Sequence, residues 1–157
     1  MAKGADRFAE AAGRAGIVVE VRRFPEGTRT AADAARAVGC EIGQIVKSLV
    51  FAADGRPFLA LTSGPNLADP AKLAALLGAG TVARANPEEA RRATGYAIGG
   101  TPPFGHREPL EVLVDEDLMR FDLLWAAAGA PDAVFPVTPA DLLRLSGGRL
   151  AAFKQAG

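Results

Sequence analysis

Ile45-Val46-Lys47-Ser48-Leu49-Val50-Phe51 is a run of β-branched and apolar residues of strand length. It leads into Ala53-Asp54-Gly55-Arg56, and a second apolar run follows over 57–62. Asp-Gly between two such runs is a strong hairpin signal, because both turn positions take positive φ. The segment therefore predicts two antiparallel strands, 45–52 and 57–62. Alternation puts Ile45, Lys47, Leu49 and Phe51 on one face and Val46, Ser48 and Val50 on the other. Lys47 thus shares a face with large apolar side chains. An ammonium in such a place has to pair, snorkel to water, or line a cavity. An edge-strand lysine that discourages aggregation would have the same pattern. The chain has four lysines against fourteen arginines, so a lysine kept inside a hydrophobic strand stands out.

Around this hairpin the elements are mixed. Residues 5–15 are alanine-rich and end at Gly16, as a short helix would. Ile17 to Phe24 reads as a strand. Thr30 caps a helix over 31–38 that Gly39 ends. Asp69-Pro70, Asn86-Pro87 and Thr138-Pro139 each place a capping side chain before a proline at the first helical position, where a missing N–H does no harm. Leu110–Val114, Leu123–Ala127 and Ala133–Val137 supply further strands, and Gly129-Ala130-Pro131-Asp132 turns between the last two. Strands and helices do not alternate as a doubly wound sheet requires. The expected fold is α+β: a strongly curved mixed sheet of about six to seven strands surrounded by helices.

A second unusual stretch is Gly99-Gly100-Thr101-Pro102-Pro103-Phe104-Gly105, preceded by Thr94-Gly95-Tyr96-Ala97-Ile98. The two prolines fix φ and carry no N–H, so the loop is stiff. Its possible main-chain donors are Gly99, Gly100, Thr101, Phe104 and Gly105. Glycine lets a ligand come close to such donors. A tight connection between strands would have the same composition.

Composition narrows the function classes. The chain has 157 residues, enough for one domain with a real core. Eighteen basic residues balance eighteen acidic ones, which argues against a protein that grips long stretches of nucleic acid. One cysteine, Cys40, rules out an internal disulfide, fits a reducing cytosol and reads as a small apolar filler. With a single histidine, His106, no Cys/His metal cluster is available, and no metal or organic cofactor is expected. Neither an apolar signal region nor a membrane span is evident, so a cytoplasmic protein is expected. No Gly-x-Ser-x-Gly elbow, Walker loop or Gly-x-Gly-x-x-Gly pattern occurs. Asp115-Glu116-Asp117 reads as a solvated turn, Asp141 as a helix-start stabiliser, and Trp125 and Phe135 as core. Arg91, Arg92 and Arg107 could meet phosphates or be surface charge.

What remains is a site without a side-chain nucleophile: one cation, Lys47, and a rigid backbone loop. Such a site suits a reactive substrate that already carries a useful hydroxyl beside a labile bond. An activated ester is one. Backbone N–H groups can stabilise a developing oxyanion or fix the attacking water. A lysine can hold a phosphate or sugar oxygen.

The sequence resembles the YbaK family, aminoacyl-tRNA deacylases related to the editing insertion of bacterial prolyl-tRNA synthetase. The residues that carry the resemblance are Gly43–Phe51, Thr94–Gly105 and Val134–Leu142. The family's lysine falls on Lys47 and its Gly-x-x-x-Pro loop on Gly99–Pro103. The resemblance implies a free-standing editing domain over 1–157 that acts in trans. It would deacylate mischarged tRNA, such as proline tRNA carrying cysteine or alanine, with assistance from the tRNA ribose hydroxyl. It implies Lys47, Gly99, Gly100 and Thr101 as catalytic residues. Pro102, Pro103, Phe104, Gly105 and His106 would bind substrate. Prolyl-tRNA synthetase is a possible partner, and no membrane is involved. Cysteine-selective relatives often have small residues at the loop centre and a basic pair after it. Here Thr101-Pro102 and His106-Arg107 stand there, which leaves the amino acid open. A binding module that has lost turnover, or a hydrolase of small nucleotide esters, are the rival readings.

Overall fold

The computed structural model describes residues 4–24 and 30–156. In chain order the elements are α1 (Gly4–Arg14), β1 (Arg22–Arg23), α2 (Ala31–Val38), β2 (Ile45–Ala53), β3 (Arg56–Ser63), α3 (Pro70–Leu77), β4 (Val82–Arg84), α4 (Pro87–Thr94), β5 (Glu111–Asp115), β6 (Leu124–Ala127), β7 (Ala133–Val137), α5 (Pro139–Ser146) and β8 (Arg149–Ala151). The eight strands form one sheet in the order β1-β7-β6-β2-β3-β5-β8, with β4 pairing β2 beside that path. β2–β6, β3–β5 and β5–β8 run parallel, while the remaining pairs are antiparallel. The expected mixed α+β sheet is what forms.

The hairpin turns as its sequence dictates. Asp54 and Gly55 both have positive φ, 48° and 86°. The Asp54 carboxylate accepts from the N–H of Gly80 and of Thr81, at 3.0 and 2.9 Å, so the turn also anchors the start of β4. Pro57 pairs with Ala52. The turn makes Ala53↔Arg56 a pair that exchanges both hydrogen bonds, so Ala52↔Pro57 is of the other kind and needs no N–H from proline.

Alternation along the hairpin divides the core. Val46, Val50, Leu59 and Leu61 face a cluster containing Phe8 of α1, Ala90 of α4, Leu142 of α5 and Phe135 of β7. Phe51, Phe58 and Ala60 face the other side, with Leu73 of α3 and Phe153. Ile45 and Trp125 join Ala34 and Ala35 of α2 in a third cluster, against which Cys40 also packs. Four helices start and stop on their caps. Thr30, Asp69, Asn86 and Thr138 each accept a main-chain N–H, and Gly39, Gly78, Gly95 and Gly147 close the helices in the left-handed region.

Two expectations change. The strand expected over 17–24 is reduced to Arg22–Arg23. Ile17 and Val19 pack on the core and Val18 is wholly exposed, so the alternation is real. However, among the described residues β1 pairs only with Val134 and Ala133 of β7, and a strand needs a neighbour. Asp115 is not in a solvated turn: it is 1% exposed. Its carboxylate accepts from Ser63 N–H at 3.0 Å, Asn66 Nδ2 at 2.8 Å and Asp117 N–H at 3.0 Å. Asp115→Ala would leave those donors without this acceptor, and buried unpaired donors are costly. The expected result is a loss of about 3 kcal/mol in urea-unfolding free energy. A variant as stable as the parent would remove Asp115 from this role.

Candidate active site

β2 lies at a fork in the sheet. On its side away from β3 it pairs with β6 at Ile45 and Val46, and with β4 at Phe51, Ala52 and Ala53. Between these, Lys47–Val50 face no strand on that side among the described residues. The bond-exchanging pairs of the hairpin are Ala53↔Arg56, Phe51↔Phe58, Leu49↔Ala60 and Lys47↔Thr62. The intervening residues Val46, Ser48 and Val50 therefore turn their N–H and C=O toward the fork. Val50 O accepts from Ala85 N–H at 3.0 Å, in agreement. Ser48 lies midway between Val46, held by β6, and Val50, held by Ala85.

The fork opens into a cleft of about 230 Å³. Its floor is Val46–Leu49, its far wall the 98–101 loop, with Arg84 of β4 and Ala127 of β6 at its two ends. Lys47 and the Gly99–Thr101 loop thus share one hollow. A second hollow of about 120 Å³ continues past Val46, Gly99 and Ala127, and is lined mainly by apolar groups such as Ala34, Trp125 and Val134. Two further clefts, of about 180 and 290 Å³, lie around Pro57 and Glu108 and contain none of the expected site residues.

Lys47 is half-buried. Its Nζ donates to the carbonyl oxygen of Asn66 at 2.6 Å. Burial lowers the ammonium's pKa from its ordinary 10.5, the nearby Arg84 guanidinium lowers it further, and Asp115 opposes them. The Asn66 side chain donates to Asp115 at 2.8 Å and to Asp117 at 2.9 Å. Asp117 also takes Lys154 Nζ at 2.7 Å. The pairing with Lys154 and the Asn66 amide hold the Asp117 carboxyl below its usual range. Lys47 is therefore aimed by a loop that buried and half-buried carboxylates hold still.

The opposite wall is built by glycine geometry. Gly99 has φ +85°, and a Cβ there would meet only Pro131 Cβ, at 3.9 Å. Gly100 is different. A Cβ there would lie 2.8 to 3.0 Å from the main chain of Ala130, so no side chain fits without moving the turn before β7. The Gly100 N–H is already spent on Ala97 O at 3.0 Å, so it is not one of the free donors expected from the sequence. Thr101 is 2% exposed, with its hydroxyl toward Ala97 O at 3.4 Å.

The remaining expected substrate contacts, Pro102 to His106, do not line the cleft. Pro102 and Pro103 are buried. The Phe104 ring lies 5.0 Å from that of Phe8 and 6.2 Å from that of Phe135, inside the core. Gly105 has φ +83° and packs on Ala11, with its carbonyl accepting from the Tyr96 hydroxyl at 3.2 Å. His106 Nε2 lies 2.7 Å from Pro102 O, and burial pushes its pKa down. These residues brace the loop from behind. Conversely, Ser48, Arg84, Ile98 and Asn66 belong to the site or its support and were not singled out from sequence. Ser48 was the most accessible to foresight, being next to Lys47 on the same strand. Arg84 ends β4 and Asn66 lies in the loop after β3, and the approach of both to β2 depends on the whole fold.

A family model for the aminoacyl-tRNA editing domain matches residues 25–145. The chain belongs to the aminoacyl-tRNA editing domain family. Editing by such domains is hydrolysis of the ester between a misattached amino acid and tRNA, so by family it is an aminoacyl-tRNA deacylase. It is 30% identical over 128 residues to the uncharacterised protein YwhH of Bacillus subtilis (strain 168), covering 81% of each chain. It is 34% identical over 92 residues to the proline–tRNA ligase of Nitratidesulfovibrio vulgaris (strain DP4), where the match is 59% of this chain and 16% of the ligase. A crystal structure of a candidate trans-editing enzyme for prolyl-tRNA synthetase superposes with a TM-score of 0.93, at 44% identity over 99% of both chains. No helix among the described residues is long and apolar enough to cross a membrane.

Proposed function

We propose that this editing domain acts in trans on tRNA(Pro) carrying a small non-cognate amino acid such as alanine or cysteine. The observation that supports this reading most is the shared cleft, lined by Lys47 on one side and by Gly99 and Thr101 on the other. The similarity to the trans-editing candidate over nearly the whole of both chains supports action in trans, as a free-standing domain. The similarity to part of a proline–tRNA ligase supports prolyl-tRNA synthetase as the functional partner.

In this reading Lys47 and Arg84 hold the phosphate and sugar oxygens of the terminal nucleotide. The 98–101 loop sets the carbonyl in place, and its glycines keep the approach open. Water adds to the ester carbonyl, and the ribose oxygen leaves with a proton, giving the free amino acid and uncharged tRNA. Among the described residues the cleft lining holds no carboxylate or imidazole to act as a base beside the carbonyl, so the ribose hydroxyl next to the ester assists the proton transfers. The apolar hollow past Gly99 takes the amino-acid side chain. A methylene more or less alters binding only by about 1–3 kcal/mol, so rejection of the prolyl group rests on shape and orientation.

The test is a panel of Ala-, Cys-, Ser-, Thr- and Pro-charged tRNA(Pro), with ester loss followed by release of labelled amino acid. Alanyl or cysteinyl ester should be lost at least about 100-fold faster than prolyl ester if orientation adds to binding. Binding without ester loss would make the chain a recognition module. Indifference to the tRNA portion would point to small nucleotide esters instead.

A further inference from the structure

Ser48 has features that the reading above leaves unused. Its Oγ is buried and has no hydrogen-bond partner among the described residues. Folded proteins pair nearly all such groups, so an orphan beside a cleft calls for a cause. The register of β2 also turns the Ser48 N–H and C=O into the fork, where no strand of the described residues stands opposite. Ser48, which lines the cleft, thus carries a buried hydroxyl unpartnered among the described residues, beside a main-chain donor and acceptor that face the fork.

The order of chemistry along the cleft suggests what meets them. Lys47 and Arg84 are cationic and suit a phosphate. The adjoining hollow is apolar and suits an amino-acid side chain. In a charged tRNA end these two parts are separated by the ribose, which carries the ester and one vicinal hydroxyl. Laid between the cations and the apolar hollow, the sugar runs along Val46–Leu49. A hydroxyl both donates and accepts, and needs a partner that can do the same. Arginine and lysine cannot, because they only donate. Ser48 can.

We propose that Ser48 is the positioning residue for the free ribose hydroxyl of the terminal adenosine, holding it through its hydroxyl and the main chain of the open strand edge. This rests on the deacylase reading and adds to it a recognition of the sugar itself. It gives the enzyme a preference for ribose over deoxyribose at the acceptor end, independent of which amino acid is attached. It also aligns the one hydroxyl that the substrate supplies to the reaction.

The experiment measures binding, so that it does not depend on turnover. Two probes are used: adenosine with an alanyl group on a 3′-amide, which cannot be hydrolysed as an ester, and the same compound lacking the 2′-hydroxyl. The parent should bind the hydroxylated probe about fivefold to tenfold more tightly, the range of one net hydrogen bond. In Ser48→Ala that preference should fall to about twofold or less, since the main-chain groups remain. The melting temperature of Ser48→Ala should not fall, because the substitution deletes a buried hydroxyl that the described residues leave unpaired. Ser48→Cys, of similar volume, should share the loss of preference. If Ser48→Ala and Ser48→Cys keep the full preference, the assignment is overturned. Equal binding of both probes by the parent overturns it too, while leaving the deacylase reading in place. Failure of the parent to bind either probe, with no ester loss from charged tRNA, removes the deacylase reading itself.

Discussion

Lys47→Ala is expected to lower kcat/KM for deacylation by at least about 100-fold, the cost typical of removing one group that stabilises charge in a preorganised site. The fold should survive. Lys47 is half-buried, and the one hydrogen bond its ammonium makes among the described residues goes to the carbonyl of Asn66, which keeps its place through its side-chain bonds to Asp115 and Asp117. Removal of the ammonium also relieves a partly buried charge that stands near Arg84. Thermal unfolding of the variant should therefore match or exceed that of the parent. Lys47→Arg should recover only part of the activity. The guanidinium is longer and planar, and cannot reproduce a compact charge seated on one carbonyl. Full activity in Lys47→Ala would remove this residue from the chemistry, whatever its place in the cleft.

Gly100→Ala should produce the second large effect, and it differs in kind. The added methyl meets main-chain atoms of Ala130 at 2.8 to 3.0 Å, which no rotamer change relieves. Either the turn before β7 or the 98–101 loop shifts. A displacement near 1 Å in a positioning loop costs about 100-fold in rate. Overpacking of this sort also destabilises, by about 1–3 kcal/mol. Gly99→Ala serves as the contrast. Its Cβ would meet Pro131 at an ordinary 3.9 Å, so its cost comes from the positive φ rather than from collision. If Gly100→Ala has parental activity and stability, the wall of the cleft is not set by this close approach.

Much of the fold could be read locally. The hairpin announced itself through Asp54-Gly55, and four helices through a capping residue and a closing glycine, because each of these signals is complete within a few residues. β4 and β8 were missed, being three residues each and defined by their neighbours rather than by any pattern of their own. Ile17–Phe24 failed in the opposite way: a good pattern with pairing over two residues only. The site shows the same division. Lys47 and the Gly99-Gly100-Thr101 loop were visible as anomalies, a charge on a greasy strand and a run of glycine and proline. Their meeting in one hollow depends on the fork of β2 between β4 and β6. Asp115 was misread because its partners, Ser63 and Asn66, lie about fifty residues earlier in the chain. A loop sequence does not reveal that the Phe104 ring packs against Phe8 and Phe135 in the core.

The loop that aims Lys47 is itself tied down by residues 153–155. Asp69 N–H donates to Phe153 O and Gln155 N–H to Leu67 O, each at 2.7 Å. Lys154 forms an isolated antiparallel bridge with Ala68, and its ammonium reaches Asp117. Purification handles are thus not interchangeable on this molecule. A histidine tag fused directly after Gly157 begins within a few residues of these bonds, whereas one fused before Met1 is remote from them in sequence. Preparations that differ only in where they are tagged should differ in turnover, and an apparent loss of editing in a carboxyl-tagged sample would report a loosened strap rather than a missing activity.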